Sequence, residues 1–253
     1  MVRILLHGCN GKMGQAIVRL CGQMDGLTVA CGVDKFPAAA AQPFPVYPTL
    51  AQCREEADVI VDFSRPDGLD DLLAYALDKG LPVVACTTGL TGEQERRLVE
   101  ASARIGVLKS ANMSLGVNLM QQLSAAAARF LGDAYDIEIL EKHHNQKVDA
   151  PSGTALALAD AINHALEDSK AYVFSRHERH EKREKKELGI SALRGGTVTG
   201  EHSVFFFGPD EVLEIRHTAY SRDIFAVGAL REARFMADKP SGFYTMQDLL
   251  GKL

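Results

Sequence analysis

The most constraining feature of this chain is a strand-like run that breaks into spaced glycines and opens directly into a helix. Arg3-Ile4-Leu5-Leu6-His7 has the pattern of a short buried strand. Gly8-Cys9-Asn10-Gly11-Lys12-Met13-Gly14 follows, and residues 12–24 place Met13, Ile17, Leu20 and Met24 on one helix face. The same rhythm continues for about 110 residues. Strands are expected at 28–33, 58–62, 82–86 and 106–108, and helices near 50–57, 69–79 and 93–105. Near-continuous apolar strands that alternate with helices predict α/β, a parallel sheet covered on both faces.

Past Leu115 the rhythm changes. A helix over 117–131 leads to a strand over 135–141, a polar cluster and a second helix over 155–166. Two strands, 197–207 and 211–218, meet around the turn sequence Gly208-Pro209-Asp210. Grouped strands with separate helices predict a central α+β domain with an open mixed sheet. The last 30 residues read as a helix with Phe225, Ala229, Ala233 and Met236 on one face and no strand pattern, packing back on the first domain. The charged run 176–187 alternates its signs and reads as a solvated, mobile segment.

Composition limits the function classes. Lys+Arg number 28 against 33 Asp+Glu, for a net charge of −5. Nucleic-acid and anionic-membrane binding, which need basic surfaces, are not expected. No apolar run approaches the ~20 residues of a membrane span, and residues 1–7 reach Gly8 too soon for a secretory signal. The five cysteines (Cys9, Cys21, Cys31, Cys53 and Cys86) are odd in number and lack CxxC spacing. They read as reduced thiols of a cytoplasmic protein.

Three groups of residues carry chemistry. In the first turn, glycines let the backbone approach a phosphate, and the bare N–H groups of a helix start bind it. Asp34, at the end of the second strand, suits ribose hydroxyls, while the adjacent Lys35 suits a 2′-phosphate, so NADH and NADPH both stay open. The alternative is a tight turn that binds nothing. The second group is Glu141-Lys142-His143-His144-Asn145-Gln146-Lys147-Val148-Asp149-Ala150-Pro151-Ser152-Gly153-Thr154-Ala155. His143, His144 and Lys147 stand beside a helix start formed by Ser152, Gly153 and Thr154, a combination suited to a small anionic substrate. A histidine there can deliver a proton near neutral pH. Adjacent histidines on an extended chain point apart and no third ligand is placed, so no metal is expected. The third group, Asp62-Phe63-Ser64, Cys86-Thr87-Thr88-Gly89 and the segment from Ser110 to Asn118, falls at the C-terminal ends of predicted parallel strands, where α/β sheets bind ligands.

Together these motifs resemble the 4-hydroxy-tetrahydrodipicolinate reductase (dihydrodipicolinate reductase) family of bacterial lysine and diaminopimelate biosynthesis. The run from His143 to Ala155 is the most specific part of the resemblance. Thr87-Thr88-Gly89, Asn112, Arg194-Gly195-Gly196 and Gly200-Glu201-His202 match in order.

The resemblance implies a Rossmann domain from residues 1–113 and 221–253, and a substrate-binding and tetramerisation domain from 114–220. It implies hinges near 113–114 and 220–222 and a homotetramer. The implied reaction is NAD(P)H-dependent reduction of a cyclic imine bearing two carboxylates. His143 would be the acid and Lys147 its cationic partner. His144, Lys147, Ser152, Gly153 and Thr154 would hold the substrate. Gly8, Gly11, Lys12, Met13, Asp34, Lys35, Phe63, Thr88, Gly89, Ala111, Asn112 and Met113 would hold the cofactor. Lys12, Cys86 and Met113 depart from the family's usual arginine, glycine and phenylalanine. Two rivals remain: a dehydrogenase of an aspartate-derived aldehyde, and a non-catalytic dinucleotide sensor. Neither accounts for the cluster at His143 to Thr154.

Overall fold

The structure is a computed structural model that describes residues 1–110, 112–177 and 179–251. In chain order the first stretch holds β1 (Val2–His7), α1 (Lys12–Cys21), β2 (Leu27–Val33), β3 (Val46–Tyr47), β4 (Val59–Asp62), α2 (Leu69–Lys79), β5 (Val83–Ala85), α3 (Gly92–Ala101) and β6 (Gly106–Lys109). The middle holds α4 (Leu115–Leu131), β7 (Asp136–His143), α5 (Gly153–Ala165), β8 (Ala171–Val173), β9 (Glu187–Arg194), β10 (Gly200–Gly208) and β11 (Glu211–Ala219). The end holds α6 (Asp223–Met236), β12 (Gly242–Tyr244) and α7 (Met246–Leu250). Two compact units result: Met1–Ser114 with the chain from Asp223 onward, and Leu115–Arg222.

The first unit is built on a parallel sheet of seven strands in the order β12-β6-β5-β4-β1-β2-β3. Val59, Ile60 and Val61 of β4 and Val83, Val84 and Ala85 of β5 are all fully buried. Strands covered on both faces need apolar residues on both, which is why their sequences do not alternate. The strand order reverses between β1 and β4, and loops leaving adjacent strands in opposite directions open a crevice at the C-terminal edge.

The second unit is a mixed sheet, β11-β10-β7-β9-β8. β7 pairs antiparallel with β10 and parallel with β9. Ile137 and Ile139 of β7, Leu188 and Ile190 of β9 and Val204 and Phe206 of β10 form one face. They pack with Met120 and Ala128 of α4 and Ala155, Leu158 and Ile162 of α5.

Several expectations are corrected. Residues 50–57 do not form a helix: one tight turn spans Leu50–Gln52, and the chain is extended by Cys53. Arg3 anchors the end of this stretch, gripping Asp58 through its backbone N–H at 2.7 Å and its guanidinium at 2.7 Å, and Glu56 at 2.6 Å. The helix expected over 12–24 stops at Cys21 before Gly22. The final residues include a strand after all: β12 joins the sheet edge beside β6. Three residues are too few to show alternation, and the pairing supplies what the local sequence lacks. β9 is likewise hidden, because Gly189 interrupts its pattern, and β8 is only three residues long; a Cβ at Gly189 would stand 1.9 Å from Glu138 Oε2. The charged run is anchored rather than free. Arg176 donates to Glu138 at 2.7 Å, and Arg179 lies 2.8 Å from Glu187. Arg183 donates to Asp136 at 2.8 Å and to the Ile137 and Glu187 carbonyls.

Candidate active site

The first cluster lies at the β1–α1 turn. Gly8 has φ +81°, and a Cβ on it would stand 2.6 Å from the Phe63 carbonyl oxygen, so only glycine brings this turn against β4's exit loop. At Gly14 a Cβ would stand 2.3 Å from the Gly8 carbonyl, which fixes how closely α1 approaches the turn. Gly11 is the N-cap and offers no side-chain cap, leaving the first N–H groups of α1 uncapped by side chains. Lys12 begins that helix on the surface and Met13 is half-buried. A cavity of about 500 Å³ opens here, with Gly8, Gly11, Asp34, Lys35 and Phe63 among its walls.

The Asp34 carboxylate accepts from the N–H groups of Asn10 and Phe36, both at 3.0 Å, which aims it along the turn. The Lys35 ammonium lies 2.6 Å from Asp67, which also lines the cavity. At the end of β4 Asp62 is 1% exposed, accepts from Thr87 Oγ1 at 2.7 Å and lies 2.9 Å from His7 Nδ1. Burial pushes the Asp62 carboxyl up, but His7, Ser64 and Thr87 outweigh it and hold it below the usual range. Thr88 and Gly89 are exposed on the β5 exit loop, with Gly89 at φ +75°. Asn112 accepts through its side chain from the Ser114 N–H at 2.9 Å. Met113 is 4% exposed, and its carbonyl would stand 1.7 Å from a Cβ on Gly228, so this residue is fastened against α6. Ala111 lies outside the described residues.

The second cluster is at the end of β7. The alternation that buries Ile137 and Ile139 carries on to Glu141, fully buried, and His143, 8% exposed. Register sets their neighbours: β10 places His202 opposite Glu141, and β9 places Arg194 beside His143. His143 Nδ1 is 2.5 Å from Glu141 Oε2, and Arg194 donates to both Glu141 oxygens at 2.8 and 2.7 Å. The Ser152 N–H donates to Glu141 at 3.0 Å. Ser152 caps α5 by accepting from the Ala155 N–H at 3.2 Å, and its hydroxyl shares a hydrogen bond with His202 Nε2 at 3.1 Å.

Burial pushes the His143 imidazole below its ordinary value, with Glu141 opposing and Lys147 and Arg194 reinforcing the shift. His202 is pushed down to about 4 by burial foremost and by His143, His217 and Lys147, with Glu141 opposing, so it is neutral at physiological pH. Its ring meets that of His143 edge-on at 5.1 Å. Lys147 lies 2.8 Å from Asp149. His144 Nδ1 is buried and has no hydrogen-bond partner among the described residues. Gly153 is exposed at the start of α5, where a Cβ would meet nothing within 4 Å, and Thr154 follows it. The structure therefore gathers His143, Ser152, Gly153 and Thr154 around one strand end and helix start, with Lys147 on the loop between, paired to Asp149.

Comparison with known proteins bears on both clusters. Residues 2–113 match the family description "Dihydrodipicolinate reductase, N-terminus", and residues 116–250 match "Dihydrodipicolinate reductase, C-terminus". A curated protein of Caldanaerobacter subterraneus subsp. tengcongensis, named 4-hydroxy-tetrahydrodipicolinate reductase, is 48% identical over 254 residues, 100% of this chain and 99% of its own. One of the same name from Clostridium novyi is 46% identical over 251 residues, 99% of this chain and 98% of its own.

The chain belongs to the dihydrodipicolinate reductase family.

Solved structures carry the same fold. A dipicolinate-bound dihydrodipicolinate reductase from Paenisporosarcina sp. TG-14 superposes with a TM-score of 0.81 at 23% identity, covering 98% of each chain. A myo-inositol dehydrogenase from Lactobacillus casei, in complex with NAD(H) and myo-inositol, has a TM-score of 0.61 at 17% identity, covering 98% of this chain and 90% of that one. In this member of the dihydrodipicolinate reductase family, residue-by-residue reading gave Glu141 no role, and singled out Arg194 and His202 only through the resemblance. A period of two counted back from His143 puts Glu141 on the same face. Arg194 and His202 had no such local signal, since their places depend on the register of β9 and β10.

Proposed function

We propose that this chain is a 4-hydroxy-tetrahydrodipicolinate reductase, an NAD(P)H-dependent oxidoreductase of the diaminopimelate route to lysine. The observation that carries the reading is the His143–Glu141 pair beside the start of α5, in a chain that matches reductases end to end. The Gly8–Gly14 turn fits a dinucleotide: its glycines keep the backbone open, and α1 begins without a side-chain cap. Gly8, Gly11, Lys12 and Met13 take the pyrophosphate. Asp34 and Lys35 take the adenosine ribose and any 2′-phosphate. Phe63, Thr88, Gly89, Ala111, Asn112 and Met113 serve the nicotinamide end. When bound, the reduced dinucleotide supplies a hydride.

The substrate loses its hydroxyl as water and, with hydride and proton added across the conjugated imine, becomes tetrahydrodipicolinate. His143 delivers the proton from Nε2, because Nδ1 is committed to Glu141. Two carboxylates on the substrate call for a local cationic site. The segment 114–220 is acidic overall, with 12 basic against 16 acidic residues, so its general field cannot attract a dianion. Lys147, His144 and the N–H groups of Gly153 and Thr154 supply the local attraction, with Ser152 holding the helix start in place. That the Paenisporosarcina relative binds dipicolinate, itself a dicarboxylate, supports this ligand class.

The segment 114–220 also carries the contacts of a homotetramer in this reading. Its open sheet face exposes Leu193, Phe207 and Val212, at 52%, 41% and 55%, in support. The protein acts in the cytoplasm in this reading, in keeping with a biosynthetic enzyme family. Among the described residues no helix is long and apolar enough to cross a membrane.

The test is a hydride assay with purified protein, enzymatically generated 4-hydroxy-tetrahydrodipicolinate, and NADH or NADPH, followed at 340 nm. Substrate-dependent oxidation with either cofactor is expected. No decline with either one removes the reading.

A further inference from the structure

Glu141 is a fully buried residue with a carboxylate at the meeting point of three chain segments. It receives His143 Nδ1 from its own strand, both terminal nitrogens of Arg194 from the end of β9, and the Ser152 N–H from the start of α5. Four donors on one carboxylate fill its accepting directions. A buried charge with that many partners is retained against the cost of taking it out of water, although a core position in line with Ile137 and Ile139 could be filled by an apolar side chain instead.

We propose that Glu141 is a positioning residue that couples the proton donor to the substrate-carboxylate subsite: it fixes the tautomer and direction of His143 and, through the same carboxylate, the start of α5. The proposal rests on the reductase reading above, in which His143 supplies the proton.

Three observations carry it. An ionised carboxylate only accepts, so neutral His143 must hold its hydrogen on Nδ1, and Nε2 is the nitrogen that gains and gives the mobile proton. Burial pushes the Glu141 carboxyl up, but Arg194, His143 and Ser152 outweigh it and keep it below the usual range, so the acceptor is ionised at neutral pH. Gly200, across the strand pair, keeps Nε2 accessible: a Cβ there would stand 3.1 Å from it.

Among the described residues, Glu141 is the group of those acting most strongly on His143 that favours the imidazolium. Glu141 on β7 raises its pKa; burial lowers it, as do Lys147 after β7 and Arg194 on β9. His202 on β10 faces the ring edge-on and is itself flanked by His217 on β11. Without Glu141, burial, Lys147 and Arg194 all disfavour the protonated form that donates.

The experiment uses the full-length enzyme with histidine-labelled NMR, steady-state pH profiles and NADH binding by fluorescence. In the wild type, ¹⁵N shifts should report neutral His143 with hydrogen on Nδ1. In Glu141→Gln, kcat should fall tenfold or more, and the limb that falls as pH rises should move at least one unit lower, with His143 titrating lower in parallel. NADH affinity should stay within twofold. Glu141→Asp, which keeps the charge one methylene short, should recover part of kcat and return the limb toward the wild-type pH.

The Nε2–H tautomer in the wild type overturns the proposal and needs no variant to fold. So does a Glu141→Gln enzyme with an unmoved limb. An inactive wild type removes the reductase reading instead, while the NMR tautomer still reports on the Glu141–His143 pair.

Discussion

The Lys147 ammonium lies 2.8 Å from the carboxylate of Asp149, two residues further along the same loop. Lys147 foremost, and the Gly153 N–H at the start of α5 among lesser partners, hold that carboxyl below its usual range. The chain's own carboxylate thus rests between a cation and a helix-start N–H, the pair that the proposed substrate carboxylate would use. Asp149 is 55% exposed in its side chain, so an exposed ion pair of about 0.2–1 kcal/mol has to yield. Asp149→Asn should lower the substrate KM roughly 1.5–5-fold while kcat stays within twofold. Steady-state kinetics at constant cofactor checks this, and a raised KM would show that Asp149 orients Lys147 rather than competing for it.

Lys147→Ala removes the cation from both the substrate and the His143 neighbourhood. A hydrogen bond to a charged group is worth about 1.5–3 kcal/mol, so kcat/KM should fall on the order of 10–100-fold. NADH affinity, measured by fluorescence titration, should change less than twofold. Equal losses in both quantities would place Lys147 outside the chemistry.

The cofactor preference should turn on the 2.6 Å pair between Lys35 and Asp67. Both side chains are well exposed, at 68% and 60%, and both border the cavity. Asp67→Asn releases Lys35 and removes a carboxylate from beside the proposed 2′-phosphate position. It should lower KM for NADPH several-fold relative to NADH, whereas Lys35→Ala should raise it. An unchanged NADPH/NADH ratio in both variants would exclude this pair from cofactor choice.

Glu232, on α6 in the core of the first unit, is fully buried, and its carboxyl oxygens have no hydrogen-bond partner among the described residues. Burial pushes it up to about 8 from an ordinary 4.5. The folded state therefore prefers the protonated form. Below pH 4.5 the group is neutral in both states and costs nothing; as pH rises from there to about 8 the unfolded chain releases a proton that the folded chain keeps, and stability falls. At about 1.4 kcal/mol per pKa unit the loss is on the order of 5 kcal/mol. Glu232→Gln should flatten that dependence, raising Tm at pH 8.5 by several degrees more than at pH 5. Parallel Tm curves for the two proteins by calorimetry would refute it.

The sequence by itself determined the parts of this protein that depend on local chemistry. Gly8 and Gly14 announced a turn where no side chain fits, and Val59–Asp62 and Val83–Ala85 announced buried parallel strands. His143, Ser152 and Gly153 lie within one run of eleven residues, so a strand end and a helix start bring them together. What only the tertiary structure decided depends on register and pairing. β12 is three residues long and exists because β6 supplies its hydrogen-bond partners. The end of the stretch from Leu50 is held by Arg3, about fifty residues away, through Glu56 and Asp58. Arg194 and His202 reach Glu141 because β9 runs parallel to β7 and β10 antiparallel, bringing residues more than fifty positions apart onto one face. Periodicity along a chain shows which face a side chain takes. Which side chains share that face is set by strand pairing, and pairing is settled by the packing of the whole sheet.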